Sequence, residues 1–282
     1  MSPLTYRPAR TLHIAALFAA AMLFALPPAH SALLFTENFN YTIGSNLAGQ
    51  NGGSGFSGAW SDGDSTIVGG LGGTGNAVQI GSSIATRSLS STFGTSGNTF
   101  YISYLMNSSN FSGGNYTGIS LWDGGTEQMF FGIPWQAQKF GFDAHGGLGV
   151  SGIKTIDFSP SINTTYLVTL GLLPSATSGK VDIKMWATSN LGIDPNTLVA
   201  GAANASLIGT RDNFSFNTLK LNGDYAGNLK VSGIANASTA AEAINFSTQS
   251  AAAVPEPGTW AAAALLASGA AFMRWRKRAK AA

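Results

Sequence analysis

The sequence predicts an all-β protein whose body is one antiparallel β-sandwich. Three observations carry this: short segments of alternating apolar and polar residues, clusters of Gly, Asn, Ser and Asp between them, and no sustained helical period from 32 to 246. The chain has 282 residues, 36 of them Gly, with 11% aromatic and 44% hydrophobic residues. That is too apolar and too aromatic for a disordered tract. Once both ends are set aside as targeting segments, the remainder is long enough for one sandwich with a substantial core.

Each expected strand shows its buried face by a period of two. Phe100, Ile102, Tyr104 and Met106 alternate with Tyr101, Ser103 and Leu105. Ile119, Leu121 and Asp123 alternate with Ser120 and Trp122, and Tyr166, Val168, Leu170 and Leu172 share one face of a later strand. Val181, Ile183 and Met185 share one face of the next, which places Trp186 on the other side with Asp182 and Lys184, where it is either exposed or fills a second layer of the sandwich. Further strands are expected at Leu219–Leu221 and Leu229–Ile234, and one short helix at Ser238–Ala243. Many short strands at this spacing point to a sandwich or barrel rather than a parallel sheet with crossover helices.

The formal charge of +2 belongs to the ends. Between 32 and 246 there are eight basic and twelve acidic residues, a net −4, which argues against nucleic acid as a partner. The absence of Cys excludes disulfides, thiol catalysis and Cys-ligated zinc within the chain. Residues 1–31 carry Arg7 and Arg10, an apolar run from Ile14 to Leu26, and the small-x-small triplet Ala29-His30-Ser31. This pattern predicts a helical secretory signal peptide, too short in its apolar part to span a bilayer.

Residues 247–282 form a second composite segment: a small, polar approach, Val254-Pro255-Glu256-Pro257-Gly258, an apolar run from Thr259 to Met273, and the basic cluster Arg274, Arg276, Lys277 and Arg278. Prolines on both sides of Glu256 favour extended, protease-accessible backbone. The apolar run predicts a short transmembrane helix, with the basic cluster left cytoplasmic by the positive-inside rule. Physics alone leaves open a plain, permanently membrane-anchored surface protein.

The order of these three parts resembles the PEP-CTERM sorting signal of bacterial exported proteins. The resemblance implies that Pro255, Glu256 and Pro257 are the recognition triplet and that Arg274, Arg276, Lys277 and Arg278 are the stop-transfer cluster. It further implies export through the bacterial inner membrane, transient anchoring there by the C-terminal helix, and cleavage near the triplet by exosortase, a membrane-embedded transpeptidase. The destination implied is the cell surface or an exopolysaccharide or biofilm matrix. Within the body, Glu37-Asn38-Phe39, Gly49-Gln50-Asn51-Gly52-Gly53, Gly55-Phe56, Ala59-Trp60 and Ala85-Thr86-Arg87 are similar to exported proteins of this kind with laminin-G-like bodies. So is Gly118–Glu127 with Phe131-Gly132 and Pro134-Trp135. The fold this implies is a jelly-roll, concanavalin A-like sandwich.

Motifs of catalysis are scarce. GxGxxG occurs at Gly53–Gly58, Gly70–Gly75 and Gly147–Gly152, but none stands between a strand and a helix as phosphate binding requires, so these are read as loops. No GxSxG elbow is present, and His145 is the one His outside the signal peptide. The Glu-x-Asp pattern of jelly-roll glucanases is absent, so a glycan hydrolase would need Asp123, Glu127 or Asp143 to converge in a cleft. A non-enzymatic, lectin-like role fits better: Trp122, Asp123, Glu127, Trp135 and Asp143 combine aromatic faces for sugar rings with fixed polar groups for hydroxyls. No cofactor is expected beyond a partial calcium-type loop at Ser61-Asp62-Gly63-Asp64-Ser65, which lacks a terminal bidentate Glu.

Overall fold

A computed structural model describes residues 33–72, 74–110, 116–135, 137–144, 153–202, 206–223 and 229–248. The strands are β1 (Leu33–Glu37), β2 (Thr66–Leu71), β3 (Thr74–Gln79), β4 (Ala85–Gly94), β5 (Phe100–Ser108), β6 (Thr117–Asp123) and β7 (Thr126–Ile133). They continue as β8 (Gly141–Asp143), β9 (Ile153–Thr155), β10 (Tyr166–Pro174), β11 (Lys180–Thr188), β12 (Ser206–Asp212), β13 (Ser215–Asn222) and β14 (Leu229–Ala237). A short helical stretch, Pro195–Thr197 continuing through Leu198–Ala202, precedes β12, and the helix α1 (Ala240–Thr248) follows β14.

These strands form two antiparallel sheets. One runs β12-β11-β10-β5-β14-β3-β2 with β1 also on β14, and the other runs β4-β13-β6-β7-β8-β9. The expected alternation is what packs them together. Ile102, Tyr104, Val168, Leu170, Ile183 and Met185 from the first sheet meet Ile119, Leu121, Phe131, Phe142, Leu219 and Leu221 from the second in one buried core. Burying faces of this size is the main favourable term in folding. The antiparallel β-sandwich read from the sequence is therefore observed.

The segment between β1 and β2 folds back over β1 and β4. Thr36 and Ser54 exchange backbone hydrogen bonds, and the amide of Ser90 donates to the carbonyl of Gly55. Gly53 and Gly55 both have positive φ, and a Cβ at either would lie 2.3 Å from a backbone oxygen of β1, so glycine is required at both. The first GxGxxG run is thus a close-approach loop, as expected. Gly147–Gly152 lies outside the described residues.

On the other face the structure decides between the two readings of Trp186 and lengthens the expected helix. Trp186 is buried at 3% exposure, in a second cluster with Leu105, Leu167, Leu198, Ala240 and Ile244. The cover on this outer face of the eight-stranded sheet comes from α1, which packs on β14, β5 and β10, together with Leu191, Ile193, Leu198 and Val199 from the segment that follows β11. The helix is also longer than the Ser238–Ala243 segment the sequence suggested. It runs to Thr248, with Ile244 and Ser247 buried, past the expected domain end at 246. Thr239 caps its N-terminus: the Glu242 amide donates to the Thr239 hydroxyl oxygen at 3.4 Å, and that hydroxyl donates to Glu242 Oε2 at 2.8 Å. No helix among the described residues is long and apolar enough to cross a membrane. The signal helix, the C-terminal membrane helix, Pro255, Glu256, Pro257, Arg274, Arg276, Lys277 and Arg278 all lie outside the described residues.

Candidate functional site

The N-terminal motif residues converge, and they converge on a buried carboxylate. Glu37 accepts hydrogen bonds from Arg87 Nη1 (2.6 Å), the Tyr41 hydroxyl (2.8 Å), Trp60 Nε1 (3.0 Å) and the Phe39 amide (2.8 Å). The remaining Arg87 donors reach the Gly58 carbonyl (2.7 Å) and Asn51 Oδ1 (2.9 Å), and the guanidinium lies 4.1 Å from the Phe56 ring centroid. Burial, followed by the charge of Glu37, pushes the Tyr41 hydroxyl up to about 12. Every strong donor and acceptor here is already matched within the chain, so the motif holds the N-terminal loop to β4 and leaves nothing directed at a ligand.

Most of the other candidate residues lie on the outer face of the six-stranded sheet. Since Ile119, Leu121, Phe131, Phe142, Leu219 and Leu221 face the core, their sequence neighbours face away. Register then aligns Thr86, Lys220, Ser120, Phe130 and Asp143 in one row across β4, β13, β6, β7 and β8. The adjacent row is Ser88, Thr218, Trp122 and Glu127. Lys220 Nζ sits 3.3 Å from the Trp122 ring centroid. Ser120 Oγ accepts from Trp122 Nε1 (2.8 Å) and Asn222 Nδ2 (2.9 Å), which fixes the indole plane.

At the β8 end of this face, Tyr116 joins the parts. Its ring packs edge-on against Phe130 with centroids 4.8 Å apart, and lies 6.1 Å from Trp135. Its hydroxyl donates to Asp143 Oδ2 at 2.5 Å. Burial first, then the hydrogen bond and charge of Asp143 and the charge of Glu127, raise the Tyr116 pKa well above the ordinary phenol value. Burial lowers the Lys220 pKa, and Glu127 opposes that shift. Trp135 is 45% exposed, an aromatic surface beside a fixed polar cluster.

Four of the five residues chosen from the sequence, Trp122, Glu127, Trp135 and Asp143, therefore belong to one side of one sheet. Asp123 and Glu127 do not face each other across the Gly124-Gly125 turn. A register shift after Leu121 sets Glu127 opposite Trp122, while the Asp123 carboxylate accepts from the Ser215 hydroxyl and from Asn217 Nδ2. Tyr116, Ser120, Lys220 and Asn222 escaped the sequence reading. The alternation in β6 and β13 placed three of them on the outer side, but the pairing of those strands, about 100 residues apart, has no local signal. His145 lies outside the described residues.

In the Ser61–Ser65 loop, the carboxylates serve the chain itself. Asp64 accepts from the amides and hydroxyls of Ser82 and Ser83, which hold its pKa far below the usual carboxylate range, and Asp62 accepts from Ser83 and the Ser65 amide. Among the described residues no group of three or more His, Asp or Glu side chains gathers to hold a metal.

No family model matches the chain, and no curated protein matches it. Solved structures do. The globular domain of calreticulin from T. cruzi is similar over 76% of this chain and 92% of its own, at 10% identity and a TM-score of 0.45. Domain 4 of an extracellular arabinanase from Geobacillus stearothermophilus, solved with arabinotriose, is similar over 77% of this chain and 98% of its own, at 10% identity and a TM-score of 0.49. Lectin II from Ulex europaeus is similar over 73% and 99%, at 9% identity and a TM-score of 0.40.

Proposed function

We propose that this is an exported, non-enzymatic protein of the bacterial cell envelope or extracellular matrix whose jelly-roll sandwich binds carbohydrate on the outer face of the six-stranded sheet. The observation that carries the binding part is the Tyr116–Asp143 hydrogen bond beside half-exposed Trp135. Sugar sites combine an aromatic plane for the C–H side of a ring with polar groups fixed in place before the ligand arrives, and here exposed Trp135 supplies the plane while buried Asp143 fixes the half-buried Tyr116 hydroxyl. Trp122 contributes less stacking surface than its type suggests, because Lys220 already covers one ring face.

The export part rests on the two ends of the chain. The signal-type segment at 1–31 and the Pro255-Glu256-Pro257 tail support passage through the inner membrane and processing by exosortase. The non-enzymatic part is supported by the separate partners of the candidate carboxylates: Asp123 is committed to β13, and Asp143 to Tyr116.

Glycan-array binding by the mature body tests the ligand class, with Trp135→Ala and Tyr116→Phe as variants. Loss of binding in both, with unchanged unfolding midpoints, is expected. Binding unaltered by either would move the site elsewhere, and release of reducing ends from a bound glycan would establish the jelly-roll hydrolase alternative. Export is tested by intact mass and location in hosts with and without exosortase. Loss of the tail and surface release only where exosortase is present is expected, whereas an unprocessed tail in both hosts would mean a permanent anchor.

A further inference from the structure

The two outer-face rows do not end at Trp122. Between β13 and β4 the register jumps from Phe216 opposite Phe93 to Thr218 opposite Ser88, so four residues of β4, Leu89–Thr92, stand against Asn217 alone. The extra residues buckle. Leu89 is buried, while Ser90, Ser91 and Thr92 are exposed, and a cleft of about 310 Å³ opens among Ser88, Ser90, Ser91, Thr92, Asn217 and Thr218.

We infer that the ligand of this face is a linear, uncharged polysaccharide lying across the strands, with one of its rings received in the hydroxyl-lined cleft at the β4–β13 bulge. This rests on the carbohydrate reading of the same face and specifies its ligand. Position is the first support. Ser88 and Thr218 share a row with Trp122 and Glu127, and Asp143 lies in the adjacent row. From β8 to β4 there are four strand spacings, about 19 Å at roughly 4.8 Å each, far more than one sugar ring occupies.

Chemistry is the second. No charged side chain lines the cleft, and its wall is almost wholly Ser, Thr and Asn, groups that both donate to and accept from sugar hydroxyls. Asn217 is held before any ligand arrives, since its amide nitrogen donates to Asp123 (2.9 Å) and its oxygen accepts from the Thr218 hydroxyl (3.0 Å). The rest of the strip disfavours a polyanion: Glu127 and Asp143 stand along it, its cation Lys220 is engaged with Trp122, and the body carries a net −4.

The test is calorimetric titration of the mature protein with cello- and laminari-oligosaccharides, from the single ring to the hexasaccharide, and with alginate oligosaccharides as the charged control. Affinity is expected to rise at least tenfold from the single ring to the hexasaccharide. Ser91→Tyr, which fills the cleft from an exposed position, should remove that gain while leaving short-chain binding intact, and Trp135→Ala should weaken all lengths. Affinity independent of length, or long-chain binding untouched by Ser91→Tyr, would overturn the extended site while leaving the carbohydrate reading standing. Tighter binding of alginate would overturn the uncharged ligand. Absence of binding to every saccharide at every length would overturn both.

Discussion

Glu37 and Arg87, 50 positions apart in sequence, meet at 2.6 Å inside the sandwich, with both side chains almost fully shielded from water. The pair does what β-ladders do elsewhere: it fastens an irregular segment to a sheet. Its desolvation cost is offset because each partner's remaining capacity is filled by Tyr41, Trp60, Gly58 and Asn51. Removing one member strands the other. Glu37→Gln or Arg87→Met is expected to lower unfolding stability by about 3–5 kcal/mol, read as a reduced urea midpoint. A loss below about 1 kcal/mol in both variants would show that the network contributes little.

Arg211 provides the opposite case. It is buried in β12 and donates through Nη1 to the Gln128 carbonyl, but among the described residues its Nε and Nη2 have no partner. Burial brings its pKa down to about 10, against an opposing effect of Asp212. Unmatched buried donors cost about 1–3 kcal/mol. Arg211→Met, which keeps the packing over Phe214, should therefore raise the urea midpoint. A fall in midpoint would mean that the single Gln128 bond and the ring contact outweigh the unmatched donors.

Alkaline pH should loosen the N-terminal loop. The Tyr41 pKa is raised in the fold to about 12 from 10.0, so the neutral phenol is the form the structure favours. The associated stability is fully present below pH 10 and is lost as pH rises toward 12. Denaturation midpoints measured across this window should fall more steeply in the wild type than in Tyr41→Phe. Parallel slopes would show that Tyr41 ionises without consequence for folding.

The helix α1 should behave as part of the body. Ile244→Ala is expected to cost about 2–4 kcal/mol, because the methyl groups it removes pack in the cluster around Trp186. Truncation after Ser238 should shift tryptophan fluorescence to the red as Trp186 meets water, whereas truncation after Ser250 should leave the spectrum unchanged. A native spectrum after the shorter truncation would show that the sheet closes over Trp186 without the helix.

The strands and their inward faces were legible in the sequence because a period of two is a local property, set by successive side chains pointing to opposite sides of extended backbone. Phe100–Met106, Tyr166–Leu172 and Val181–Met185 needed nothing beyond their own residues. The same local rule left Trp186 open between exposure and a buried second layer, since a strand's pattern carries no record of a helix arriving some 55 residues later in the chain. The site follows the same division. Trp122, Glu127, Trp135 and Asp143 could be picked by residue type, but only the pairing of β6 with β13 and of β7 with β8 sets Lys220 over Trp122 and aligns Asp143 with Phe130. Residue chemistry and periodicity act along the chain and can be read from it. Which surfaces meet depends on contacts between distant segments, and those exist only once the two sheets have closed on one another.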